Sequence, residues 1–104
     1  MIKFTKPKVN EIRYVSFMSN YTLWWVYKVK INKVGTKWIT CNMLEYITGS
    51  ENPYKDNMNA NVQLYYWHYQ KTLEDAYKML IYNIFDTRDV ELFYREQPDL
   101  GQII

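Results

Sequence analysis

At 104 residues, with 48% apolar and 18% aromatic side chains against 23% charged ones, the chain has the composition of a folded protein and the length of one domain, residues 1–104. The apolar content excludes a disordered chain, and the length excludes two independent cores. Cys41 is the single cysteine, which excludes an internal disulfide and predicts a reducing, cytoplasmic setting.

The net charge of +2 conceals an asymmetry. Residues 1–55 hold nine Lys and Arg against three Asp and Glu, and residues 56–104 hold four against eight, so the two parts carry +6 and −4. Such polarity steers a charged partner or draws one half of a fold onto the other. The basic opening, Met1 to Lys8, lacks the apolar run and cleavage site of a signal peptide. The most apolar stretch, residues 23–29, is far shorter than the ~20 residues of a membrane-crossing helix, so no membrane partner is expected.

In chain order, residues 9–19 mix β-branched and aromatic types with polar ones, which predicts a strand covered in part on both faces. Residues 22–31 alternate: Leu23, Trp25, Tyr27, Val29 and Ile31 share one face, with Trp24, Val26, Lys28 and Lys30 opposite. Gly35 allows a reversal into a third strand, residues 37–42, so a β-hairpin is expected. Residues 43–48 read either as a short helix capped by Asn42 and ended by Gly49, or as a continuation of the strand. Residues 50–61, with Pro53 and four asparagines, read as a surface loop.

Residues 62–69 are again strand-like, with Val62, Leu64, Tyr66 and His68 on one face and Gln63, Tyr65, Trp67 and Tyr69 on the other. Two apolar faces predict a central strand. Thr72 followed by Asp75 resembles a capping box, and Leu73, Ala76, Tyr77, Leu80, Ile81, Ile84 and Phe85 then draw an apolar stripe at helical spacing. A short strand or helical turn follows at residues 90–94, and Pro98 and Gly101 imply an irregular tail. The expected fold class is α+β: a mainly antiparallel sheet of four or five strands with one amphipathic C-terminal helix packed on one face. Whether residues 1–8 and 88–104 join the fold is left open at this level.

Chemistry-bearing motifs are sparse. His68 is the only histidine, and no second histidine or cysteine stands at ligand spacing, so neither a metal nor another cofactor is expected. As a catalyst His68 would need a nucleophile such as Cys41 and an orienting carboxylate such as Glu45, and no motif joins the three. The three glycines are far apart, which excludes a glycine-rich phosphate loop. A non-enzymatic protein is the expectation.

Two binding surfaces compete. A lone helix covers one face of a small sheet, so the stripe Tyr65, Trp67 and Tyr69, with Trp24 and Trp38, is expected to remain open for a protein partner or for self-association. Alternatively Trp24, Lys28 and Lys30 on one strand face, with Lys33 and Lys37 at the adjoining turn, combine cations with an indole as single-stranded nucleic-acid binders do. In size, lack of motifs and Asn/Tyr/Lys-rich composition the chain resembles accessory proteins of phages and mobile elements with AT-rich genomes. That resemblance implies an inhibitor of a host factor.

Overall fold

The computed structural model describes residues 4–19, 23–58 and 60–82. Four antiparallel strands lie side by side in chain order: β1 (Ile12–Ser19), β2 (Leu23–Val34), β3 (Trp38–Gly49) and β4 (Asn61–Tyr65). A short 3-10 turn (Tyr66–His68) then leads into one helix, α1 (Leu73–Ile81). The class is α+β. The expected end of the helical stripe at Ile84 and Phe85, the strand or turn at residues 90–94 and the irregular tail lie outside the described residues.

Strict alternation in β2 sets the inside of the sheet. Trp25, Tyr27, Val29 and Ile31 are buried, and they pack with Val15 of β1 and with Ile39, Cys41 and Met43 of β3 into one core. Every one of these side chains is apolar or aromatic, so burial at about 25 cal/mol per Å² of apolar surface favours this pleat over its inverse. Residues 51–60 are not a wholly exposed loop: Tyr54 and Met58 pack against the core. The Tyr27 hydroxyl holds the loop there, accepting from the Tyr54 N–H at 3.2 Å and donating to the Asn52 side chain. The Tyr54 ring meets Trp25 and Tyr27 edge-on at 5.8 and 5.4 Å.

Residues 43–48 continue β3, and the helical alternative is not realised. The pairing of β2 with β3 skips one residue at each of three places: Ile47 and Leu44 on β3 and Asn32 on β2. Each bulge adds local twist, so the sheet curls. The bulge at Leu44 also shifts the pleat, so that Met43 and then Tyr46 face the core. Gly49 closes β3 instead of ending a helix. A Cβ there would lie 2.7 Å from the Trp25 Cα and closer still to the Trp24 carbonyl oxygen, so only glycine lets β2 approach.

Curling brings the far end of the sheet back to its start. Tyr14 and Gln70 exchange two backbone hydrogen bonds of 2.8 Å, so the segment after β4 caps the free edge of β1. Arg13, 1% exposed, locks this closure. Its guanidinium pairs with Glu11 (Nε to Oε2, 2.6 Å) and donates to the Tyr69 carbonyl (2.9 Å) and to the Thr5 carbonyl and hydroxyl (3.2 Å each). The N-terminal segment thereby joins the fold from Phe4 onward, with Phe4 and Pro7 buried.

The chain does not place residues 62–69 in a central strand. β4 is the last strand of the ladder and ends at Tyr65, because the 3-10 turn takes over at Tyr66. Thr72 caps α1, its hydroxyl accepting from the Asp75 N–H at 3.1 Å, and Glu74 and Asp75 stand in the first turn. Along α1, Ala76 and Met79 are buried, Leu73 and Leu80 are half-buried, and Tyr77 and Ile81 are exposed. Among the strands the helix lies against β1. None of the helices among the described residues is long and apolar enough to cross a membrane.

Candidate functional site

Because the core uses the odd-numbered positions of β2 up to Ile31, the even ones take the opposite face, where Val26 is also fully buried while Lys28 and Lys30 reach the surface with their partners on β3 and β4. Register sets the rows of this outer face. Trp38 stands opposite Tyr65, Thr40 lies between Lys33 and Gln63, Asn42 lies between Lys30 and Asn61, and Lys28 stands opposite Glu45. The bulge at Asn32 is what turns Lys33 outward, since the next residue, Val34, returns to the core. Three asparagines span the strands: the Asn32 amide donates to Asn42 and, at 3.1 Å, to Asn61, and the Asn42 amide donates to Asn61 at 3.0 Å.

At the hairpin end of these rows the rings of Trp38 and Tyr65 stack, with centroids 4.5 Å apart and planes 23° from parallel. Trp38 keeps 44% of its surface exposed. The Lys37 ammonium lies 5.7 Å from both centroids, within cation–π range. The stack continues inward: Tyr65 lies 6.4 Å from Trp67, and Trp67 lies 3.8 Å from the His68 ring. Lys30, Lys33 and Lys37 are exposed, Lys28 is half-buried, and Glu45 is the acidic residue of these rows. This part of the outer face thus carries four cations, a stacked ring pair and a band of neutral amide and hydroxyl groups.

The sequence-predicted aromatic stripe is not assembled as expected. Trp67 is 4% exposed and Tyr69 fully buried, because the 3-10 turn breaks the alternation that would have put both on the open face, and Trp67 meets the Tyr65 ring from the inside. The Tyr69 hydroxyl donates to the Ile39 carbonyl at 2.6 Å inside the core, and burial pushes its pKa up. Tyr65 and Trp38 remain accessible and adjacent. Trp24 is half-buried at the opposite end of β2, with the fully buried Val26 between it and Lys28. Its backbone N–H donates to Ser50 Oγ at 2.8 Å. Of the expected basic set, Lys28, Lys30 and Lys33 share the face and Lys37 stands at its end, while Trp38 takes the place assigned to Trp24.

His68, Cys41 and Glu45 do not form a hydrogen-bonded set among the described residues. Burial lowers the His68 pKa from 6.5 to about 4. Cys41 faces the core, where burial raises its thiol pKa, and Glu45 points the other way from the same strand. Among the described residues no group of three or more His, Cys, Asp or Glu side chains could hold a metal ion.

Thr40, Asn42, Asn61 and Gln63 are missed by sequence reasoning, because their proximity exists only through cross-strand register. The one available signal is three asparagines inside strands that they disfavour. Comparison with family models, with curated proteins and with solved structures gives no match.

Proposed function

We propose that the protein binds single-stranded nucleic acid along the outward rows of β2, β3 and β4. The observation that carries this reading is the exposed Trp38–Tyr65 stack under the Lys37 ammonium, standing at the head of a file of lysines on β2. Ring faces accept any base by stacking, worth ~1–3 kcal/mol per base, and ammonium groups replace the counterions of the phosphates. Amide and hydroxyl groups between them serve as hydrogen-bond donors and acceptors for unpaired base edges. In this reading α1, which lies against β1, leaves Lys30, Lys33, Trp38, Asn61 and Gln63 exposed for recognition, while Val26 farther along the same face is buried and serves folding.

Replacing Trp38 or Tyr65 with alanine should weaken binding of a short oligothymidylate by roughly 5- to 150-fold, the equivalent of one lost stacking contact. Fluorescence anisotropy measures this directly, and circular dichroism checks the fold. If both variants fold and bind as the wild type does, the platform has no such role.

A protein partner is the second reading. Phe17 and Leu23 keep 40 and 45% of their surface exposed at the end of the β1–β2 pair where Ser19 stands opposite Leu23, and Phe17 stacks on Trp25 at 5.4 Å. Large apolar side chains in that state supply contact area for docking, as an accessory protein blocking a host factor, or a second copy of the chain, would need. Affinity capture before and after nuclease treatment separates the two readings: a partner retained after nuclease and lost in Phe17→Ser favours the protein.

A further inference from the structure

Beside the platform, a cavity of about 470 Å³ opens between the N-terminal segment and the turn joining β2 to β3. Its floor is apolar: Phe4 and Ile39 are 3% and 1% exposed, and Tyr66 supplies a third wall. Its mouth carries Lys6, Lys37 and Thr36, all exposed, and the described lining contains no carboxylate. The volume falls within the usual range of small-molecule sites, ~300–1,000 Å³. A flat apolar body with an anionic group is the chemistry such a lining accepts.

Position narrows the class further. Lys37 lines the cavity and also stands over the Trp38 and Tyr65 rings. Ile39 follows Trp38 on β3 and turns to the core side of the sheet, so the cavity lies behind the platform, and a strand leaving the Trp38–Tyr65 pair reaches it around Lys37 at the hairpin end. The wall is also preorganised, because Arg13 holds both the carbonyl and the hydroxyl of Thr5, another lining residue.

We propose that this cavity receives one nucleotide of the bound strand, its base against Phe4, Ile39 and Tyr66 and its phosphate between Lys6 and Lys37. The proposal rests on the nucleic-acid reading and specifies where a base leaves the stack. Binding is selective for unpaired nucleotides, since a paired base cannot enter.

The test is a titration of the isotope-labelled protein with deoxyadenosine monophosphate, followed by NMR at the Ile39 and Thr36 methyl groups and the Phe4 ring. Saturable shifts at all three are expected, and inorganic phosphate should leave the Ile39 methyl in place. Lys6→Gln, and separately Thr36→Trp to fill the mouth, should weaken nucleotide binding roughly tenfold or more. Shifts confined to Trp38 and Tyr65, equal Ile39 shifts with phosphate alone, or wild-type affinity in Lys6→Gln would overturn the proposal. If oligothymidylate does not bind while the nucleotide still shifts Ile39 and Lys6→Gln weakens it, the platform reading fails and the cavity stands as a nucleotide site.

Discussion

Replacing Arg13 with alanine tests how the sheet is closed. The side chain is buried and holds five contacts: two with the Glu11 carboxylate, two with Thr5 and one with the Tyr69 carbonyl. Deletion breaks a buried ion pair, which costs ~3–5 kcal/mol when the remaining charge cannot reach water. The Glu11 side chain keeps 28% exposure and can rehydrate, so the lower end, about 3 kcal/mol, is expected. Against a typical total of ~5–15 kcal/mol that is a large fraction of the stability. Urea unfolding at neutral pH gives the loss. Amide exchange gives its location, with Tyr14 and Gln70 becoming faster than Val29 because the closure opens before the core. Arg13→Met combined with Glu11→Gln should recover most of the stability, since it leaves no orphaned charge. A loss below about 1 kcal/mol, or equal acceleration of all three amides, would refute the role of Arg13 in closing the sheet.

Acid should destabilise the fold through His68. Its pKa falls from 6.5 to about 4 on burial, so between those values the unfolded chain takes up a proton that the folded protein refuses. Stability is fully present above about pH 6.5 and declines by about 3 kcal/mol as the pH falls to 4. For Glu11, burial alone would raise the pKa, but the Arg13 guanidinium and the Lys8 backbone N–H outweigh it and hold it low, which adds a loss of the same sign at lower pH. Thermal unfolding of His68→Gln across this range should show a much flatter decline between pH 6.5 and 4, and an unchanged profile would assign the acid sensitivity elsewhere. Gly49→Ala should cost about 2 to 3 kcal/mol in urea unfolding, because the added carbon meets the β2 backbone, and a neutral effect would mean that β2 has room to move.

What the sequence disclosed depended on whether a residue's environment is local. The alternation of β2 and the Thr72 cap are properties of neighbours in the chain, and both are visible in the residues themselves. The bulge at Leu44 is not. The helical alternative at residues 43–48 rests on Asn42 as a cap and Gly49 as a stop, and the structure uses both otherwise: Asn42 bonds across the strands and Gly49 lets β2 approach. The turn at Tyr66 is equally hidden, and that one 3-10 turn carried Trp67 and Tyr69 from an expected surface to the inside. Lys28 and Lys30 were legible as one face, whereas Lys33, expected at the turn, joins them only through the bulge at Asn32, and the pairing of Trp38 with Tyr65 required the register of β3 with β4.

The central claim is that the β2 lysines and the Trp38–Tyr65 pair together hold a single strand. The most direct measurement is the dependence of oligothymidylate affinity on salt between about 50 and about 200 mM. Four lysines engaging phosphates predict a log–log slope of about −3, at ~0.7 per contact for single strands. Replacing Lys28, Lys30, Lys33 and Lys37 with glutamine should flatten it to about −0.7 or shallower, the share of a single remaining contact such as Lys6. A wild-type slope near zero, or an unchanged slope in the substituted protein, would contradict the account.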